Sequence, residues 1–215
     1  MAERGDAFYN PVTKTRVVFL TVPADNGGRE MLIDWYVPPG EMLPAAKHYH
    51  GGPANAIVER FEILSGTTTC WVGADKRTVS APGVIEIPFN VVHIHPRNVG
   101  SDMLHVRQSP WVAPEPNLVL LTRIERYFET LIALSQKGKV NRKGDFINPL
   151  QAALTIHETL LDPSFLPVIP QNVQKALFGS MARLARRLGY QACYRPEKEG
   201  QAPASGEHRG TLKTS

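Results

Sequence analysis

Two pairs of histidines carry the clearest chemical potential in this sequence. His48 and His50 are two residues apart, and so are His93 and His95. Members of such a pair point to the same side of an extended strand, because side chains alternate between its faces. Imidazole nitrogens together with a carboxylate oxygen suit divalent transition metals. We therefore expect a metal site formed by His48, His50, a carboxylate and either His93 or His95. Strand alternation does not distinguish His93 from His95, because both point to the same side.

The same alternation selects the carboxylate. In the predicted strand 57–64, Glu59 shares its side with Phe61 and Ile63, whereas Glu62 lies on the other side. The side that carries phenylalanine and isoleucine is expected to face the interior. Glu59 is therefore the predicted ligand, and Glu62 is expected to face outward.

Short runs of β-branched and aromatic residues, separated by turn residues, surround these candidates. The chain has 215 residues, of which 17 are glycine and 18 are proline. Short strands spaced by roughly 8–12 residues are typical of a sandwich or barrel. We expect an all-β barrel over residues 1–115. The predicted strands are 14–22, 30–37, 57–64, 67–72, 76–80, 84–88, 91–95 and 102–108.

Helical spacing replaces this alternation after residue 116. Apolar residues recur every three or four positions over 117–137, 148–161 and 171–188, which predicts about three helices within 116–192. We expect these helices to pack on the barrel or to mediate dimerisation. The polar residues 193–215 are expected to form a disordered tail. The third helix combines an apolar stripe (Val173, Leu177, Met181, Leu184, Leu188) with basic residues on its other side (Lys175, Arg183, Arg186, Arg187).

The histidine-containing stretches resemble the two sequence motifs of the cupin superfamily. The first cupin motif contains His-x-His, a glutamate and a following glycine, which His48, His50, Glu59 and Gly66 match. The loop between His50 and Glu59 is longer here than in the cupin pattern. The resemblance extends over about residues 30–110.

The second cupin motif is matched by Pro88, His93 and Asn98. Asn90 stands where the family has glycine, and asparagine tolerates left-handed backbone geometry better than most residues. The distance from His93 to Asn98 is one residue longer than in the family, which keeps His95 as an alternative ligand.

This resemblance implies a double-stranded β-helix barrel with one divalent metal bound by His48, His50, Glu59 and His93. Fe(II) is the first expectation, and Mn, Ni, Cu and Zn are alternatives. Iron would favour dioxygenase-type chemistry on a small organic substrate, whereas Zn, Mn or Ni would favour isomerase or lyase chemistry. Glu59 could also act as a base. The alternative is a non-catalytic module that binds or senses a small ligand and contacts a partner through its helices.

Three further residues are expected to line the pocket, namely Phe61, Ile63 and His105. For His105 a second interpretation stays open, in which it forms an outward-facing pair with Arg107. Cys70, in a predicted strand, is expected to be a buried and inert thiol. No residue pattern indicates an organic cofactor.

Composition and charge exclude other classes. The sequence has no apolar run long enough for a transmembrane helix and no signal-peptide pattern. Its two cysteines are far apart, which favours a reducing, cytoplasmic setting. The net charge of +4 comes from residues 120–194, and no nucleic-acid-binding motif accompanies it. We expect a homodimer. Membrane association through the basic third helix is a less favoured hypothesis, which predicts salt-sensitive liposome binding.

Overall fold

Nine β-strands precede three α-helices in the computed structural model, which describes residues 1–44, 47–51, 56–161 and 164–200. The helices are α1 (Leu118–Gln136), α2 (Pro149–Thr159) and α3 (Gln171–Arg187). Within the described ranges, no helix has the length and apolarity needed to cross a bilayer. The strands are β1 (Ala7–Asn10), β2 (Thr15–Thr21), β3 (Leu32–Val37), β4 (Ala56–Ser65), β5 (Thr67–Val72), β6 (Asp75–Ser80), β7 (Gly83–Ile87), β8 (His93–Asn98) and β9 (Leu104–Ala113).

The strands form two antiparallel sheets that share one hydrophobic core. The larger sheet has the order β1-β2-β3-β9-β4-β7, and the smaller has the order β6-β5-β8. Buried Phe61 and Ile85 of the larger sheet belong to the same apolar cluster as Cys70 and Val72 of the smaller one. The prediction of an all-β fold followed by a helical segment is confirmed.

Strand β4 shows the predicted alternation. Glu59, Phe61 and Ile63 are all buried. Arg60 and Glu62 lie on the other face, where Arg60 Nη2 is 3.0 Å from Glu62 Oε1. The assignment of Glu59 to the interior and of Glu62 to the outer face is therefore confirmed.

One strand of the structure was not predicted from the sequence, and another is longer than predicted. Strand β1 pairs with β2, although no strand was predicted before residue 14. Strand β9 continues to residue 113, whereas its prediction ended at 108. Pro110 lacks a backbone donor, but its carbonyl accepts a hydrogen bond from Met31 N at 3.1 Å. The strand therefore passes through a residue type that normally interrupts one.

Helix α1 belongs to the same core as the strands. Its buried residues Leu121, Ile124 and Phe128 join the apolar cluster of the two sheets. The ring of Phe128 meets the ring of Trp35 in β3 edge to face, with 5.4 Å between centroids. The boundary predicted between residues 115 and 116 thus runs through one continuous hydrophobic core.

Helix α3 packs on α2 through its small residues rather than through its apolar stripe. Ala182 and Ala185 are fully buried and cluster with Leu154 of α2. The stripe residues Leu177 and Leu184 are 47% and 49% exposed. Small side chains let the two helices approach closely, so the larger side chains of the stripe are left on the solvent side.

The first residues of the predicted tail are hydrogen-bonded to α1 and β1. Tyr194 N donates to Thr130 Oγ1 at 3.1 Å, and Glu197 N donates to Gln136 Oε1 at 2.9 Å. Glu199 N donates to the carbonyl of Ala7 at 2.8 Å. Residues 194–199 therefore run along α1 and β1, whereas 201–215 lie outside the described residues.

The orientation of α3 can be tested with a matched pair of substitutions. Leu184→Ala should change the free energy of unfolding by less than about 0.5 kcal/mol, because Leu184 is half exposed. Ala182→Leu should lower it by about 1–3 kcal/mol, because Ala182 is fully buried between α3 and α2 and a larger side chain would overpack this contact. Urea denaturation measures both. The opposite ranking would mean that the apolar stripe faces the core.

Candidate metal centre

Four of the predicted ligands meet at one point. His48, His50, Glu59 and His93 each offer one ligand atom, and these atoms all lie within 4.8 Å of one another. The backbone of the His48 segment pairs with β8: His93 N donates to the carbonyl of His48 at 2.8 Å, and His48 N donates back at 3.2 Å. This short bridge brings the two sequence motifs together.

The carboxylate of Glu59 lies at the middle of the histidines. Its Oε2 atom is 3.1 Å from His95 Nε2, 3.2 Å from His93 Nε2 and 3.4 Å from His50 Nε2. Glu59 itself is only 3% exposed. Both His93 and His95 contact the carboxylate. His93, and not His95, belongs to the group of four residues whose ligand atoms are close enough together to bind one metal ion.

The electrostatics of the cluster keep the carboxylate ionised. Burial by itself would raise the pKa of Glu59, but the charges of His95 and His50 act against it, and the pKa lies well below its usual value. Burial and the neighbouring histidines hold the pKa of His48 well below its usual value. An ionised carboxylate and a neutral imidazole are the protonation states that metal ions require of these ligands.

A backbone carbonyl orients the ring of His93. Its Nδ1 atom lies 2.8 Å from the carbonyl of Val91. A carbonyl can only accept, so this contact places a proton on Nδ1, and in a neutral ring the lone pair is on Nε2. That nitrogen is the one directed at Glu59, as a metal ligand would be.

Buried ring nitrogens without a hydrogen bond provide the test of whether this donor set fits a metal. His93 Nε2 lies near Glu59 but outside hydrogen-bond geometry, and His95 Nδ1 also has no hydrogen-bond partner within the described part of the chain. Buried polar atoms are normally satisfied. Three imidazoles and one carboxylate with such an atom among them fit a divalent transition metal.

The other oxygen of Glu59 is held by Gln108, which is in turn held by Trp35. The sequence did not reveal either residue as part of the site. Gln108 Nε2 donates to Glu59 Oε1 at 3.0 Å, and Trp35 Nε1 donates to Gln108 Oε1 at 2.8 Å. Gln108 is fully buried. The only available signal was that Gln108 shares the inward side of β9 with Val106, which is too weak to single out a site residue.

The helical segment also reaches the centre. Ser164 Oγ, in the connection from α2 to α3, lies 3.1 Å from His50 Nδ1. Next to it, Tyr49 and Phe165 exchange two backbone hydrogen bonds of 3.0 and 2.9 Å. A Cβ atom on Gly51 would come within 2.8 Å of the Phe165 ring, so the glycine after His50 permits this contact.

A cavity of about 730 Å³, which includes its opening to solvent, lies between the cluster and the helices. His48, His50, Glu59 and His95 form one end. Pro44, residues of all three helices and residues of the α2–α3 connection form the rest. The helical segment is therefore part of the wall of the site.

The three predicted lining residues do not border this cavity. Phe61 and Ile63 are buried in the core, and the Phe61 ring supports the His95 ring at 5.2 Å between centroids. His105 lies on the opposite face of β9, with Nε2 3.1 Å from Asp34 Oδ2. Arg107 also contacts Asp34, with Nε at 2.8 Å from Oδ1. The outward-facing interpretation of His105 is the one that the structure supports.

Two asparagines of the second motif have structural roles. Asn90 has a φ of 61°, the left-handed geometry for which a glycine or asparagine is favoured. Asn98 Nδ2 donates to the carbonyls of Val37 and Asp102, both at 2.8 Å. Asn98 thereby fastens the end of β8 to β3 and to the following turn.

Two further residues with potentially reactive side chains, Cys70 and His157, lie away from the cluster. Burial raises the pKa of the Cys70 thiol to about 11, which agrees with an inert buried cysteine. His157 Nδ1 lies 2.8 Å from Glu158 Oε1, and a Cβ on Gly179 would be 3.5 Å from His157 Nε2. His157 is therefore a packing residue between α2 and α3.

Two antiparallel sheets around one core, with a His/Glu cluster at one end of a cavity, agree with the architecture that the resemblance to cupins implies. No protein-family model and no curated protein matches the sequence. Solved structures of low sequence identity do match.

A Thermotoga maritima protein described as a predicted oxalate decarboxylase has 16% identity and a TM-score of 0.41, over 52% of this chain and 99% of that one. An RmlC-like cupin family protein from Methanocaldococcus jannaschii has 22% identity and a TM-score of 0.38, over 52% and 93%. The cupin domain of Schizosaccharomyces pombe Cnp3 has 15% identity and a TM-score of 0.36, over 46% of this chain and 64% of that one, less than two thirds of its length.

The link between Gln108 and Glu59 predicts a stability effect. Gln108→Met should lower the free energy of unfolding by about 2–4 kcal/mol, because it leaves Glu59 Oε1 and Trp35 Nε1 buried without partners. Gln136→Met is the matched control. Gln136 makes its hydrogen bonds at the surface, and its replacement should cost less than about 1 kcal/mol. Equal effects in urea denaturation would contradict the role assigned to Gln108.

Proposed function

We propose that His48, His50, Glu59 and His93 bind one divalent transition metal, and that the protein is an enzyme acting on a small organic molecule held in the adjoining cavity. The observation that carries this proposal is the convergence of four ligand atoms within 4.8 Å, three of which belong to residues that line the end of a cavity. Fe(II) is the metal we propose first, and Mn, Ni, Cu and Zn are alternatives compatible with the same donor set.

A bound metal would supply Lewis-acid polarisation of the substrate or, if it is iron, access to oxygen chemistry. The chain's own residues prepare the site. The Val91 carbonyl fixes the ring of His93, and Ser164 fixes the ring of His50. The cavity on the side of the helices gives a substrate access while the strands close the opposite side.

Within this proposal Glu59 is a ligand rather than a mobile base. Its Oε1 is held by Gln108, and its Oε2 faces three imidazoles. Moving the carboxylate toward a substrate would break the bond to Gln108 and leave both residues buried without partners. That cost favours a fixed carboxylate.

Elemental analysis of purified protein tests the metal assignment. The wild type should hold close to one equivalent of metal, after anaerobic reconstitution with Fe(II) if necessary. His48→Ala, Glu59→Ala and His93→Ala should each lose most of it, because each removes a donor from the cluster. His95→Ala should keep the metal, because His95 lies outside the four-residue group.

His105→Ala is the control for this series, since His105 is an imidazole on the opposite face of the sheet. It should retain the wild-type metal content. Failure of the wild type to bind Fe(II), Mn, Ni, Cu or Zn would contradict the proposal and favour a metal-free binding module. Metal that is lost in His95→Ala but kept in His93→Ala would exchange the roles of these two histidines.

The contact of Ser164 with His50 predicts a graded effect. Ser164→Ala should weaken metal binding by about tenfold, because residues that orient a metal-bound histidine typically contribute 10–100-fold. Competition with a chelator measures the affinity. Ser180→Ala on α3 is the matched control, because the Ser180 hydroxyl donates to the carbonyl of Ala176, remote from the cluster. An unchanged affinity in Ser164→Ala would show that the helical segment does not support the metal.

A further inference from the structure

The wall of the cavity beyond the cluster is almost entirely apolar. The lining residues outside the cluster include Ile124 and Phe128 of α1, Ile156 of α2, Phe178 of α3 and Leu160 after α2. Within the described residues, Ser164 and Gln174 bring the only amide or hydroxyl side chains to this wall apart from the phenol of Tyr127. A ligand that fills this space would therefore contact mainly carbon.

Both of these polar side chains already have partners. Ser164 contacts His50. The Gln174 amide donates to the carbonyls of Leu166 and Ile169 at 2.8 and 2.6 Å and accepts from Leu166 N at 3.0 Å. Gln174 thus holds the α2–α3 connection in place. It has little capacity left for the hydroxyl groups of a sugar.

Burial of Tyr127 adds one neutral group to the wall. Burial, followed by the charge of Asp145, raises the pKa of Tyr127 to about 12. The phenol therefore stays uncharged at neutral pH. It could donate one hydrogen bond, but it brings no positive charge to this wall.

No lysine or arginine lines the cavity within the described residues. Arg123, on the helix that forms part of the wall, is bound elsewhere. It donates to the carbonyls of Glu158 and Leu161 at 3.0 and 2.7 Å. Lys175 Nζ lies 5.8 Å from the centroid of the Phe165 ring but is not a lining residue. A phosphate or second carboxylate in the apolar part would thus be buried without a counter-charge from the described lining residues, which is costly.

From this distribution, we infer that the substrate is an amphiphile with one monoanionic head group, such as a carboxylate, and an uncharged hydrocarbon or aromatic body. The head group would lie at the His/Glu end, and the body would lie against α1, α2 and α3. This inference rests on the proposed function for its head-group site. The same wall disfavours sugar phosphates and those dicarboxylates whose second charged group would have to lie in the apolar part.

A homologous series of acids tests the inference on the metal-loaded, full-length protein. Acetate, butanoate, hexanoate and octanoate are titrated by calorimetry. Affinity should rise about fourfold for each added methylene until the cavity is filled, as expected for the burial of a hydrocarbon chain. Hexanedioate should bind at least about tenfold more weakly than hexanoate, because its second carboxylate would enter the apolar part.

A matched pair on α3 locates the binding of the hydrocarbon body. Phe178→Ala should weaken octanoate binding by about tenfold and leave acetate binding unchanged within about twofold, since only the longer chain reaches this wall. Leu177→Ala changes the neighbouring residue, which is 47% exposed and does not line the cavity. It should leave both affinities unchanged. Acetate binding also reports whether each variant is folded.

The outcomes separate the two proposals. Affinities that do not depend on chain length, or hexanedioate binding as tightly as hexanoate, would overturn the substrate class even in protein that holds its metal. Protein that binds no metal but gives the full chain-length series would overturn the proposed metal function and leave the apolar cavity assignment standing.

Discussion

One buried charge sets the conditions for the rest of this structure. The carboxylate of Glu59 is almost inaccessible, and an isolated ion in that position would be very costly. Three imidazoles surround one of its oxygens, and Gln108 donates to the other. Each of these partners must in turn be positioned. The backbone bridge between the His48 segment and β8 positions His48 beside His93. The inward face of β9 positions Gln108.

The helices complete the site rather than merely following it. Phe128 joins α1 to the core through its contact with Trp35, and Trp35 is the residue that fixes Gln108. From the other side, Ser164 contacts His50. Packing of the helices is therefore coupled to the orientation of the cluster by two short chains of contacts. One runs from Phe128 through Trp35 and Gln108 to Oε1 of Glu59, and the other runs from Ser164 through His50 to Oε2. A barrel without the helices would lack both the Ser164 contact and most of the cavity wall.

The sequence was informative where local alternation decides the outcome. The inward direction of Glu59 and the outward direction of Glu62 follow from a period of two along one strand. The His-x-His spacing likewise brought His48 and His50 to one side. These features depend only on strand geometry, so a single sequence suffices to predict them.

Contacts between distant segments could not be predicted in this way. Gln108 and Ser164 carry no motif, and their importance arises from the proximity of β9 and of the α2–α3 connection to the cluster. Pro110 concealed the length of β9, because its carbonyl takes part in pairing while its missing donor suggests a break. The apolar stripe of α3 likewise does not reveal which side of the helix is buried, because the small residue Ala182 packs more closely against α2 than the larger side chains can.

The charge of the helical segment illustrates the same distinction between composition and position. The sequence assigns its excess of basic residues to the helices, which would suggest a site for anions. Arg123 instead donates to carbonyls at the end of α2, and Arg186 pairs with Glu158. Arg183 is exposed on α3. The positive charges of these three arginines thus lie at helix ends and on the surface. Among the described residues, the charged or titratable side chains at the cavity end are those grouped around Glu59. A site with that arrangement separates a polar reacting end from an apolar binding wall.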